Sequence, residues 1–133
     1  MFYDTSYSGP AFPAVEIRIT FRHRGQRISL QPFVAYVDTG ADLTCVPASI
    51  VTQESNAYQT KVKIRYADGR ERIKPGLLLP HATVELKDHS GNWVTSHPHS
   101  PLKLIIQDAL LGRDVLNNHV STFDGPQLQL NIS

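Results

Sequence analysis

Alternation of apolar and polar residues with a period of two runs through most of this chain. From Ala14 to Phe21, Val15, Ile17, Ile19 and Phe21 alternate with Glu16, Arg18 and Thr20, which predicts a strand with one wet face. His23-Arg24-Gly25-Gln26 reads as a turn. Ile28 to Val37 follows as a second strand, with Pro32 at a bulge or an edge. Asp38-Thr39-Gly40-Ala41 interrupts that strand with turn residues, and Leu43 to Val46 resumes an apolar run. Pro47 to Val51 opens a short helix, since proline suits a first helical turn, and Ser55 to Tyr58 reads as loop. Lys61 to Tyr66 alternates again, Ala67-Asp68-Gly69-Arg70 is a hairpin turn signal, and a return strand runs from Glu71 towards Leu79. Both arms of this hairpin are rich in charge, so it projects into water.

Ala82 to Leu86 and Trp93 to Thr95 predict two more strands around a Ser90-Gly91-Asn92 turn. His97 to Pro101 is a loop and Leu102 to Ile106 a strand. Leu110-Leu111-Gly112 is a short apolar run, Arg113 to Asn118 a helix of one or two turns, and Gln127 to Ile132 a last strand. Met1 to Pro13, with four aromatics and two prolines, reads as an extended arm. Many short strands at this spacing predict a small all-β barrel or sandwich.

Composition narrows the class. A chain of 133 residues suits one domain with one core, and is short for two lobes. A formal net charge of +1 gives no electrostatic case for nucleic acid or an anionic membrane. The cluster of Arg18, Arg22, His23, Arg24 and Arg27 reads as strand ends around a turn, ahead of a nucleic-acid patch. Cys45 is the sole cysteine, so no internal disulfide is possible. No apolar run approaches membrane-spanning length, and the start of the chain lacks the pattern of a signal peptide. A cytoplasmic protein is the expectation.

The chemistry-bearing candidate is Asp38-Thr39-Gly40. It follows the apolar run Phe33 to Val37, and a carboxylate at the end of a buried strand is held rigidly. Glycine permits close backbone approach and unusual dihedrals. Taken alone, the triplet is better explained by a type I turn with Asp as its first residue. His97-Pro98-His99 lacks cysteine or carboxylate at ligand spacing, so no metal site is expected. A nucleophile elbow and a phosphate-binding glycine loop are both missing from the sequence.

Two segments together change the odds. Ala35-Tyr36-Val37-Asp38-Thr39-Gly40-Ala41-Asp42 resembles the catalytic turn of the retropepsin-like aspartic proteases, the single-domain relatives of pepsin. Ala109-Leu110-Leu111-Gly112-Arg113-Asp114 resembles that family's apolar-apolar-Gly-Arg-Asn/Asp segment ahead of its C-terminal helix. The order of elements between them agrees, and the resemblance spans Ala14 to Ile132. It implies an N-terminal arm over residues 1–13 and a protease domain over 14–133. The implied fold is a small closed all-β acid-protease barrel with a flap hairpin and one short C-terminal helix, in a homodimer.

The same resemblance implies roles. Asp38, Thr39 and Gly40 would form the catalytic turn, with Thr39 bracing the turn of the other copy. Ala41 lacks the hydroxyl that pepsins place beside their carboxylate, which implies a working pH less acidic than pepsin's. Asp42 and Arg113 would pair and, with Gly112, support the turn. Leu43, Cys45 and Leu110 would line apolar side-chain pockets. Ala67, Asp68 and Gly69 would form the flap tip over the substrate, although the glycine-rich viral pattern is reduced here to Gly69. The chain holds no second Asp-Thr/Ser-Gly, so one catalytic carboxylate per chain implies a symmetric homodimer. The implied activity is an endopeptidase acting on polypeptide between apolar residues, with no cofactor, metal, nucleic acid or membrane. A retropepsin-fold module that dimerises or binds peptides, but cleaves weakly or not at all, stands as the alternative.

Overall fold

The computed structural model describes residues 1–4, 11–97 and 100–133. Pro98 and His99 of the histidine loop lie outside them. The strands are β1 (Phe2–Asp4), β2 (Phe12–His23), β3 (Gln26–Ser29), β4 (Phe33–Val37), β5 (Cys45–Pro47), β6 (Tyr58–Arg65), β7 (Glu71–Leu79), β8 (Thr83–Lys87), β9 (Trp93–Ser96), β10 (Lys103–Ile106), β11 (Leu110–Leu111), β12 (Ser121–Asp124) and β13 (Gln129–Ile132). Two single 3₁₀ turns, Ala48–Ile50 and Gln53–Ser55, follow β5, and one short helix, α1 (Arg113–Leu116), follows β11.

Strand β2 is the spine. Its alternating Val15, Ile17 and Ile19 are fully buried, and Phe21 nearly so. Each contributes about 1.5–3 kcal/mol through burial. It pairs antiparallel with β1, β3, β4 and β8. The face expected to be wet is half covered. Glu16 pairs with Lys87, and Arg18 pairs with Glu85 and lies over the ring of Trp93 at 4.5 Å.

The main sheet runs in the order β6-β7-β10-β5-β11-β4-β2-β8-β9, with β12 and β13 in a separate two-stranded sheet. Among the described residues no pairing joins β6 to β9, so the expected closed barrel is an open sheet. The physical reason lies in the hairpin of β6 and β7. One face of β6 (Lys61, Lys63, Arg65) is exposed and the other only half-buried, and β7 is exposed from Glu71 to Pro75, so the hairpin stands away from the core and β6 has β7 as its one strand neighbour.

Smaller departures have local causes. The strand expected over Ile28 to Val37 is split into β3 and β4, with Pro32 in the gap. The arm expected to lack regular structure contains β1, and β2 already starts at Phe12. The last strand begins at Gln129, because Leu128 has φ +52° and breaks the alternation. Leu130 and Ile132 are buried in this chain, whereas Leu128 is exposed.

Glu85 points away from Val84 and Leu86 yet is 3% exposed, because Arg18 and Arg27 close over it. Burial pushes its carboxyl up, but hydrogen bonds and charge from the two arginines outweigh burial and hold it below the usual 4.5. A lowered folded value stabilises the fold above the unfolded value, and that gain is lost as pH falls through the folded one. Glu85→Gln should therefore unfold more easily at pH 7, by about 1–3 kcal/mol. Urea unfolding at a series of acidic pH values should show the gap between parent and variant closing.

Candidate active site

The site is built where β4 ends. The chain leaves β4 at Val37, turns through Asp38 to Thr44, and returns as β5. Strand β11 comes back from far along the sequence and lies between the two arms. It is parallel to β4, with Leu110 opposite Tyr36 and Leu111 opposite Val37, and antiparallel to β5, with Leu110 opposite Cys45. The Asp38 N–H donates to the Leu111 carbonyl at 3.0 Å, and the Arg113 N–H donates to the Ala41 carbonyl at 2.8 Å. The Asp114 N–H donates to the Asp42 carbonyl at 3.2 Å. The turn is thus tied by its backbone at both ends.

Within the turn, the Gly40 N–H donates to Asp38 Oδ1 at 2.8 Å, and the Ala41 N–H donates to the Asp38 carbonyl at 3.2 Å. Asp38 Oδ2 accepts no hydrogen bond among the described residues. Gly40 does not take a left-handed φ; its value to the turn is space, since a Cβ there would sit 3.1 Å from Asp38 Oδ1. Gly112 is more constrained. A Cβ on it would lie 2.6 Å from the Leu43 carbonyl carbon and 2.9 Å from the Thr44 nitrogen. Only glycine lets β11 pass this close to the turn.

Asp42 and Arg113, the pair that the resemblance implied, are ion-paired. The pair is not buried: the side chains are 81% and 50% exposed. The buried ion pair of this region is instead that of Lys103 and Asp114, whose side chains are 0% and 2% exposed. Lys103 Nζ donates to Asp114 Oδ2 at 2.6 Å and to the Ser100 and Leu102 carbonyls at 2.6 and 3.2 Å. Asp114 Oδ1 accepts from the Thr44 N–H at 2.9 Å and from the Thr44 hydroxyl at 2.7 Å. Thr44 Oγ1 in turn accepts from the Gly112 N–H at 3.1 Å. One buried network therefore links β10, the helix start, the turn and β11. Sequence reasoning missed Thr44 and Lys103. A lysine inside the apolar run Leu102 to Ile106 was the available signal.

Cys45 is buried, and its Sγ lies 3.6 Å from the Leu43 carbonyl. Burial first, then the charges of Asp114, Asp38 and Asp108, push its thiol up to about 11. It is a neutral, small buried side chain at physiological pH. Leu110 lines a hollow of about 500 Å³ with Tyr36, Val34 and, from β1, Phe2 and Asp4. That hollow does not reach Asp38. Ala67, Asp68 and Gly69 form the tip of the hairpin of β6 and β7, and Gly69 takes φ +85°. The Asp68 carboxylate accepts from the Arg70 backbone at 3.0 Å and from the Arg70 guanidinium at 2.6 Å, so the tip is bound up within its own hairpin.

The sequence of residues 11–122 matches the retroviral aspartyl protease family. A search of curated proteins found no match. The chain belongs to the retroviral aspartyl protease family. No group of His, Cys, Asp and Glu suited to a metal ion occurs among the described residues. Among them, no helix is long and apolar enough to cross a membrane.

Burial pulls the Lys103 ammonium down, against the hydrogen bond and charge of Asp114, and the net direction is down. The folded chain therefore holds that proton less tightly than the unfolded one, so the charged lysine costs stability at neutral pH. The network places groups rather than stabilising them. Lys103→Met should cost about 3–5 kcal/mol in urea unfolding, because the buried Asp114 carboxylate is left without its counter-charge. Lys103→Met with Asp114→Asn should return to within about 1 kcal/mol of the parent, or exceed it.

Proposed function

We propose that this chain is an aspartic endopeptidase that works as a homodimer, each copy giving one Asp38. The observation that carries this reading is the placement of Asp38. Its backbone is tied to β11, one carboxylate oxygen is held by Gly40, and the other is open. A carboxylate fixed in this way is prepared for proton transfer. The chain contributes only one such group, and peptide hydrolysis by this route needs two. Two close carboxylates share one proton and titrate as a pair. The ionised member takes a proton from a water between them, and the protonated member polarises the peptide carbonyl.

The exposed Thr39, without a hydrogen bond among the described residues, suits a role across a two-fold axis. Residues 14–133 would form the protease domain, with 1–13 as an arm. Leu43, Cys45 and Leu110 favour apolar side chains at the scissile bond. Ala41, Asp42, Ala67, Asp68 and Gly69 complete the substrate-contacting set, with Gly112 and Arg113 as support. Cytoplasmic location fits the lone cysteine. The self-satisfied hairpin tip favours a second reading, in which the dimer binds peptides but cleaves them weakly.

Purified chain should cleave members of an apolar-rich peptide library, and Asp38→Asn should abolish that cleavage. Equal cleavage by parent and variant overturns the proposal. Sedimentation should show a dimer at micromolar concentration, and a cleaving monomer would contradict the shared site. Binding without turnover would select the second reading. Ala41→Ser should move the acid limb of the pH–rate profile to lower pH, because an added hydroxyl favours the ionised carboxylate.

A further inference from the structure

Charge is unevenly divided in this chain. Six of its 13 lysines and arginines lie between Lys61 and Lys74, with only two of its 12 acids. The rest of the chain carries more acid than base. The basic segment is the hairpin of β6 and β7. Its two acids are already engaged: Glu71 binds Lys63 at 2.9 Å and Arg65 at 2.7 Å, and Asp68 binds Arg70. Lys61 and Arg72 have no carboxylate partner among the described residues, and Lys74 meets only the ring of Tyr66, at 5.7 Å.

The hairpin has a second unusual property. Strand β6 is the terminal strand of the main sheet, and β7 is its one neighbour. One side of its backbone therefore carries donors and acceptors without a strand partner. Lys61, Lys63 and Arg65 alternate along that edge, and all three are exposed. Like charges of this kind oppose pairing with a second copy of β6. The same charges attract an extended strand of opposite sign, which can satisfy the backbone as well.

We propose that the β6 edge is an accessory docking surface for an extended, acidic stretch of the polypeptide substrate, outside the cleft that holds the scissile bond. The proposal deepens the protease reading and rests on it for the identity of the occupant as substrate. Charge selects the stretch, and backbone pairing demands that it be a polypeptide. A nucleic acid satisfies the charge but has no N–H and C=O ladder to offer the edge.

The test measures binding rather than cleavage, so a failure of the protease reading does not obscure it. The full-length Asp38→Asn chain is titrated into a fluorescein-labelled peptide that alternates Glu and Val. Anisotropy should report binding at about 50 mM NaCl that weakens about tenfold by about 300 mM, as screening shortens the range of the charges. The Lys-Val counterpart should not bind. Lys61→Glu, Lys63→Glu and Arg72→Glu together should weaken binding about tenfold or more. The neutral set Lys61→Gln, Lys63→Gln and Arg72→Gln should give an intermediate loss, with an unchanged melting temperature showing that the fold survives. N-methylation at alternate residues of the Glu-Val peptide should also cost about tenfold, by removing its donors. The proposal is overturned by the charge-reversed chain binding as well as the parent, or by N-methylation having no effect. Failure of the Glu-Val peptide to bind at low salt also overturns it. So does an oligodeoxythymidine of equal charge binding more tightly than the peptide, which would mark the hairpin as a nucleic-acid surface.

Discussion

The passage of β11 between β4 and β5 is the constraint on which the rest of the site depends. A two-residue strand has little pairing energy of its own. It is held because its flanks are held: Asp38 and Arg113 close backbone hydrogen bonds across it, and Gly112 allows contact closer than any side chain permits. Once β11 is in place, the positions of Asp38, Leu110 and Arg113 follow together. The turn that carries Asp38 is then a part of the sheet, positioned by β4 and β5 on either side of it and by β11 from far along the sequence.

Lys103 and Asp114 show what holding this crossing requires. A buried ion pair is weak evidence for stability, since both charges lose water. Its geometric information is strong. Asp114 can satisfy both Thr44 donors and Lys103 only when β5, β10 and the start of α1 are in one arrangement. Slippage of any of these elements leaves a charge unpaired in the core. The network thereby penalises misplacement of the turn far more than it rewards correct placement.

Much of this was legible in the sequence. Alternation at Val15 to Phe21 and at Lys61 to Tyr66 reported strands, because one face of each is drier than the other. The turn and the Gly-Arg segment were legible as motifs, and Asp42 with Arg113 as complementary charges. Less legible was which charges are buried. Lys103 and Arg113 are both cations near apolar runs, and only the fold makes one fully enclosed and the other half exposed. The end of the sheet was illegible for a similar reason. Alternation predicts that β6 is a strand without saying whether it gains one neighbour or two.

That distinction matters under the proposed homodimer, in which each chain would give one carboxylate. A two-lobed protease can shape its cleft asymmetrically, whereas two identical copies present the same walls twice. Under the proposed reading, apolar walls at Leu43, Cys45 and Leu110 would read the same chemistry on either side of the scissile bond. Discrimination among substrates would then come from features beyond the shared cleft, where one copy can act without its mate. An open-edged, cationic strand such as β6 is a feature of that kind. Its charges act over about a Debye length and its backbone acts only in contact, so the two together select by composition first and by conformation second.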